Sequence, residues 1–273
     1  MNQSDNRPQM NTPHTATATP LKVLTYNIYH GEKFYSPGKP NLDEIAEIIA
    51  AEKPDLVALQ EVDRHTRRSA KLYGGVSQDL TQELARMTGM HGYFGRAMEQ
   101  HGGDYGEAIL TRTPAVRATN HPLAAPSGGE PRALLQVELA LTGDRTASRT
   151  LTFAGTHLCH QHEANRLAQV QEIIRLAEAA PHPFILAGDF NFETGEAPYH
   201  ALAHALQDTG VAFGNPQHTW PVDQPSTRLD IIFTDKRHHW IVKDHRLLPH
   251  NASDHHPVIA ILELTSRQER AHQ

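Results

Sequence analysis

The chain has 273 residues, 38% hydrophobic and 21% charged, with 25 Lys plus Arg against 31 Asp plus Glu for a net charge of −6. This composition excludes collagenous, coiled-coil and wholly disordered classes, and it provides no global attraction for polyanions. The single cysteine, Cys159, rules out an internal disulfide, and no apolar run reaches the ~20 residues of a membrane-spanning helix.

Residues 1–20 carry almost no apolar anchor and are expected to be a disordered lead-in to one folded domain over 21–265, with a short tail over 266–273. They lack a secretory apolar core, so a cytoplasmic location is the expectation. Leu21 to Tyr26 reads as the first strand. Leu42, Ile45, Ile48 and Ile49 then share one face of a helix, which Asn41 and Glu44 open with capping-box spacing and Pro54 closes. A buried strand over 56–59 follows, then a helix bearing Leu80, Leu84 and Met87 that stops at Gly89, then strands over 135–141 and 150–154. Leu167, Val170, Ile174 and Ala177 mark a third helix, and 184–187 another short buried strand. Pro198 opens a fourth helix carrying Leu202 and Leu206, and strands over 229–234 and 257–264 complete the pattern. The helices are too few for a crossover between every pair of strands. The expected class is therefore α+β, with helices outside two stacked sheets. The gap from Lys33 to Asn41 and the Gly-rich stretches 101–106 and 126–131 read as loops that wall a cleft.

Polar groups close each apolar strand. Asn27, Gln60-Glu61, Thr156-His157 and Gly188-Asp189-Phe190-Asn191 follow strands, and Ser253-Asp254-His255-His256 precedes the last one. Singly, each is a common turn or strand end. If these ends share one edge of the stacked sheets, they converge into a set of carboxylates, carboxamides and imidazoles. That chemistry suits a hard cation such as magnesium, which takes oxygen ligands and keeps several waters. Zinc motifs are absent: His162-Glu163 is not followed by the second His of H-E-x-x-H, because position 166 is Arg. His160, His162, His238 and His239 read as surface or hydrogen-bonded histidines, and Asp63, Arg64, Arg67 and Arg68 as surface charges.

Seven segments in order resemble a known group, the metal-dependent endonuclease/exonuclease/phosphatase superfamily. They are TYN at 25–27, LQEVD at 59–63, GEAILTR at 106–112, THL at 156–158, GDFN at 188–191, RLDIIF at 228–233 and SDHHPV at 253–258. The resemblance implies a four-layer α/β/β/α sandwich of two packed mixed sheets, and phosphoester hydrolysis with Mg²⁺ or Mn²⁺. By position it implies Glu61 as principal metal ligand, with Asn27 beside it and Asp254 as a further metal-side carboxylate. It implies Asp189 as the group that orients or deprotonates water, and Asn191 as an amide donor. His255 is implied as a donor to phosphoryl oxygen held by Asp230, and His157 as an imidazole that steadies phosphate or leaving group. Tyr29 stands where the DNA-repair branch has an acid, THL replaces that branch's tyrosine-containing segment, and Glu107 replaces an Asn frequent in bacterial relatives. NIYHG and EPRALL resemble a bacterial branch related in pattern to sphingomyelinase-like and lipid-anchor-remodelling phosphodiesterases, which makes Arg132 and Glu107 candidate substrate contacts. Read as an isolated residue, Arg132 is a surface salt-bridge partner.

The implied substrate is a small or lipid-like phosphodiester, with an endo- or exonuclease acting on DNA or RNA as the alternative. Acidic charge, 6% aromatic residues and no basic stripe disfavour a nucleic-acid partner. A cysteine hydrolase using Cys159 with His157 or His160 is a rival from another class, but residues so close on one strand end make a poor nucleophile–base pair. A binding protein without catalysis has no need of Asp189, Asp230 and Asp254 together.

Overall fold

The computed structural model describes residues 20–141 and 149–265. The lead-in over 1–19, the segment 142–148 and the tail over 266–273 lie outside the described residues. In chain order the elements are β1 (Leu21–Asn27), α1 (Leu42–Glu52), β2 (Leu56–Arg64), α2 (Arg67–Leu72), α3 (Leu80–Thr88), β3 (His91–Gln100), β4 (Gly103–Thr111) and β5 (Ala115–Leu123). Then come β6 (Arg132–Leu141), β7 (Arg149–His157), α4 (Glu163–Ala179), β8 (Phe184–Asp189), α5 (Ala197–Ala205), β9 (Leu206–Asp208), α6 (Thr209–Phe213), β10 (Asp230–Asp235), β11 (Trp240–Leu247) and β12 (Val258–Leu264).

Two six-stranded mixed sheets form, in the orders β11-β12-β1-β2-β4-β3 and β5-β6-β7-β8-β10-β9. Alternation along the strands decides what each sheet buries. Val23, Ala58 and Ile109 of the first sheet meet Val137, Phe153, Ile185, Ala187 and Ile232 of the second in a core between the sheets. The opposite face of the first sheet packs Leu24, Tyr26 and Leu59 on Ile45 and Ile49 of α1 and Leu80 and Leu84 of α3. The opposite face of the second packs Ala154, Leu186 and Phe233 on Val170 and Ile173 of α4 and Leu202 of α5. Helix, sheet, sheet and helix thus stack as the expected four-layer α+β sandwich. Among the described residues no helix is long and apolar enough to cross a membrane.

Several local expectations need correction. Asn41 makes no side-chain cap to α1; its amide instead donates to the carbonyls of Glu32 and Ala252, tying the loop before α1 to the loop before β12. Ile173, not Ile174, is the buried member of α4. Leu206 leaves the helical pattern and starts β9. The Gly-rich stretch at 101–106 is no cleft loop, because β4 begins at Gly103. There Gly106 lies against the backbone of Gly95 and Ala97 on β3, where no Cβ would fit. Asp63 is not a surface charge: it is fully buried, accepting from Thr66 at 2.7 Å and from both ends of the Arg68 guanidinium at 2.8–2.9 Å.

Candidate active site

The strand register brings the polar ends to one edge. Asn27 pairs with Gln60 across parallel β1 and β2, His157 pairs with Asp189 across parallel β7 and β8, and Asp230 pairs with Asp189 across antiparallel β10 and β8. Period 2 then aims the side chains. Val23 lies in the inter-sheet core, so Asn27 points the same way. By the same count His157 follows Phe153, Asp189 follows Ile185 and Ala187, and Asp230 precedes Ile232. The apolar layer ends and these groups line its mouth. β12 runs antiparallel to β1, with Val258 opposite Thr25, so the preceding Asp254 and His255 arrive at the same edge.

Glu61 reaches the edge by a different device. Leu59 and Val62 both belong to the outer-face core, although strict alternation forbids that for residues three apart. The register against β4 shifts between them, and Glu61 takes the left-handed conformation with φ 59°. This bulge turns the carboxylate toward the cleft, and such strain at a non-glycine residue is characteristic of functional positions.

Asn27 is the hub. Its Nδ2 donates to Glu61 Oε1 at 3.1 Å and to Asp189 Oδ2 at 3.0 Å, while its Oδ1 accepts from the Tyr29 amide at 3.2 Å. Asp189 Oδ1 accepts from the Asn191 amide at 3.1 Å, so both oxygens are held. Burial raises the Asp189 carboxyl above the usual range and the Asp230 charge adds to it, against the pull of His255. His255 Nδ1 donates to Asp230 Oδ2 at 2.8 Å, leaving Nε2 3.7 Å from Asp189 Oδ2. Burial opposes charging of this ring, but Asp230 and Asp189 outweigh it and bring its pKa to about 10. His255 is therefore an imidazolium at neutral pH. Burial works against ionisation of Glu61 as well, yet the hydrogen bonds of His30 and Asn27 and the charge of His255 hold its carboxyl well below the usual range; His30 Nδ1 stands 3.8 Å from Oε2.

His157 behaves differently. Arg132 Nη1 lies 3.2 Å from its Nδ1, and the side-chain amide nitrogen of Asn191 lies 2.9 Å from its Nε2, so a donor group faces each ring nitrogen. Burial and the Arg132 charge hold the ring neutral. Nε2 also lies 3.5 Å from Asp189 Oδ2. Arg132 is not the surface ion pair its sequence context implies. It is 2% exposed, bound to Glu130 and close to His160 Nδ1 at 3.0 and 3.1 Å. Glu107 shares the inward face of β4 with Ile109 and is buried with Oε2 unpartnered, inside the cleft floor and not on its surface. Asp254 is half-buried and accepts from Ser253 at 3.2 Å and Trp220 Nε1 at 3.4 Å. Cys159 is buried, 3.5 Å from the Asn165 amide and away from any base pairing. Sequence reasoning overlooked His30 and Trp220; the signal for both lies only in which loops meet at the edge.

A family model described as the endonuclease/exonuclease/phosphatase family matches residues 24–255. The chain belongs to this family. Among characterised and uncharacterised relatives, it is 28% identical over 220 residues to the uncharacterized protein YbhP of Escherichia coli K12, covering 78% of this chain and 84% of that one. Its fold is similar to that of a functionally unknown conserved protein from Enterococcus faecalis V583, with TM-score 0.73 and 21% identity over 90% of this chain and all of the other. It is also similar to the human Nocturnin catalytic domain solved with a bound sulfate anion, with TM-score 0.67, 24% identity, and coverage of 90% and 95%. Members of the endonuclease/exonuclease/phosphatase family hydrolyse phosphoesters and generally use divalent metals.

The donor set fits such a cation. It is rich in oxygen, and Asp230 Oδ1 is buried with no hydrogen-bond partner. Asp189, Asp230 and His255 bring one ligand atom each within 4.8 Å of one another. His255, however, is protonated and spends Nδ1 on Asp230, so this trio is an acid–imidazolium arrangement and the His offers no lone pair.

Proposed function

We propose that the protein is a Mg²⁺- or Mn²⁺-dependent phosphodiesterase acting on a small or lipid-like ester. The observation that carries this reading is the convergence of Asp189, protonated His255 and neutral His157 on one point, with Asp189 Oδ2 3.7 Å from the one ring and 3.5 Å from the other. Glu61 and Asn27, with Asp254 nearby, would hold the metal. A divalent cation held there neutralises phosphoryl charge and stabilises a leaving oxygen. Asp189, fixed by Asn27 and Asn191 and raised toward neutral pH, orients the attacking water and takes its proton. His255, held by Asp230, donates from Nε2 to a phosphoryl oxygen where charge develops. His157, held neutral beside Arg132, stands on the other side of Asp189, where it steadies the phosphate or the leaving group. No nucleophilic Ser or Cys is placed in this set, which favours direct attack by water. The acidic net charge of −6 favours small esters over duplex DNA, whose grip requires several neutralised phosphates.

The test is a panel of phosphodiesters, phosphomonoesters and nicked duplex, assayed in Mg²⁺, in Mn²⁺ and after exhaustive EDTA. Metal-dependent cleavage of small diesters is the expected result. Full turnover after chelation, or salt-sensitive cleavage of the duplex alone, would overturn the reading.

A further inference from the structure

The segment 214–229 links α6 to β10, and its middle folds back on itself. Trp220 and Thr227 form an antiparallel bridge. The Thr219 and Trp220 amides donate to the Thr227 carbonyl at 2.9 and 3.1 Å, and the Ser226 and Thr227 amides donate to the Trp220 carbonyl at 2.9 Å each. This hairpin lies against the loop that carries Asp254 and His255. The Val222 amide donates to the Asp254 carbonyl at 2.8 Å, and the Thr219 carbonyl accepts from the His256 amide at 2.9 Å. The peptide groups on both sides of His255 are thus held by the hairpin.

Thr219 also reaches the other half of the acid–imidazolium pair. It is 1% exposed, and its hydroxyl oxygen accepts from the amides of Leu229 and Asp230 at 3.1 and 3.2 Å. The start of β10 needs such an acceptor. Asp230 stands opposite Asp189, and the Phe190 amide donates to the Leu229 carbonyl at 2.9 Å, which makes the 229–190 pair the hydrogen-bonded one and turns the Asp230 amide away from β8. On that other flank β9 reaches no further than Phe233. A buried amide left without an acceptor is strongly unfavourable, and an apolar residue at 219 would leave two. Asp230 and His255 also belong to different sheets, because β10 lies in one and β12 in the other. No strand ladder sets the distance between them. Yet His255 Nδ1 and Asp230 Oδ2 meet at 2.8 Å, and Thr219 is bonded to the backbone on each side of that meeting.

We infer that Thr219 is a positioning residue: its hydroxyl fixes the Asp230 backbone and its carbonyl the backbone after His255, so that the two side chains meet with Nε2 of His255 facing the cleft. Its effect on turnover rests on the phosphodiesterase reading, while the clamp itself does not. The neighbouring bond from Trp220 Nε1 to Asp254 Oδ2 is longer, at 3.4 Å, and holds a different side chain. Valine has the shape of threonine without the acceptor, and serine keeps the acceptor without the methyl group, so these two substitutions separate the hydroxyl from the volume it fills.

The clamp is tested first in EDTA and without substrate, by NMR of the full chain. In the wild type the Asp230 amide exchanges slowly with solvent, and His255 Nδ1–H gives a low-field proton resonance, assigned by its loss in His255→Ala. Thr219→Val removes both signatures while the amides of Ile232 and Leu186 within the sheet stay protected, and Thr219→Ser keeps both. If Thr219→Val does not fold, Thr219→Ala carries the same comparison with Thr219→Ser. In turnover of a phosphodiester that the wild type cleaves in Mg²⁺, Thr219→Val lowers kcat by roughly 10- to 100-fold with KM little changed, and Thr219→Ser recovers most of the rate. Fast exchange of the Asp230 amide or no low-field resonance in the wild type overturns the clamp. So does persistence of both signatures in Thr219→Val, or their loss in Thr219→Ser as well. A resonance lost in Thr219→Val with kcat unchanged overturns the role of Thr219 in the reaction. Both signatures behaving as expected, with no diester cleaved by the wild type in Mg²⁺ or Mn²⁺, overturns the phosphodiesterase reading and leaves the clamp standing.

Discussion

Glu107 makes the fold's stability depend on pH in a direction opposite to that of most carboxylates. It is 1% exposed and its Oε2 has no hydrogen-bond partner. Burial, opposed by Arg132 and by a backbone hydrogen bond, pushes its carboxyl from the ordinary 4.5 up to about 8. Between these values the unfolded chain has released the proton and the folded chain has kept it. The folded state binds more protons, so stability falls as pH rises through this window and levels off above the folded pKa. Each pH unit is worth ~1.36 kcal/mol. From pH ~5.5 to ~8 that amounts to on the order of 3 kcal/mol, or a Tm fall of roughly 6–12 °C for a chain of this size. Glu107→Gln keeps the shape and has no proton to lose. Urea and thermal unfolding of both proteins from pH 5.5 to 9, in EDTA so that metal binding does not intrude, should give curves that meet at the acid end and diverge at the alkaline end, with the variant more stable there. Parallel curves would refute the argument and mean that Glu107 finds a donor in solution.

Other outcomes follow from the same geometry. Asp189→Asn and His255→Ala should each lower kcat by at least ~10² while the folded far-UV spectrum and Tm stay close to wild type, because both line a polar cleft and not a core; near-wild-type rates on a substrate the wild type turns over would remove these residues from the mechanism. Asp230→Asn withdraws the charge that keeps His255 protonated, so the alkaline limb of the rate profile should move acidward by ~1 unit or more, which a pH series of kcat detects. Glu61→Gln should raise the Mg²⁺ concentration needed for half-maximal rate, with activity partly restored at high Mg²⁺; a defect indifferent to metal would place Glu61 elsewhere in the reaction. Arg132→Gln should raise the pKa of His157, because the Arg132 charge helps to hold that ring neutral; the pH dependence of the ring ¹⁵N shifts reads this directly, and an unchanged titration would show that Arg132 does not set its charge.

The amino-acid sequence by itself determined the layers. Apolar residues at helical spacing in α1 and α3 and continuous apolar runs in β2 and β8 need nothing beyond local periodicity to be recognised, since burial on one face or two imposes them. The polar strand ends likewise singled out Asn27, Glu61, His157, Asp189 and His255, because they flank apolar alternation, while Asp230 entered only through the resemblance carried by RLDIIF. What the sequence left hidden depends on partners distant in the chain. β3, β5 and β11 at sheet edges carry weak alternation, as half-exposed strands do, and β4 is masked by Gly103 and Gly106, which are needed for close approach to its neighbours. The burial of Asp63, Glu107 and Arg132 is set by sheets and loops that close over them, and a charge in sequence has no local mark of that. Glu61 faces the cleft only through a bulge formed against β4, and the protonation of His255 comes from Asp230, 25 residues away and 2.8 Å distant. Electrostatic environment is a property of tertiary neighbours, so only the folded chain decides which of these acids and imidazoles are charged.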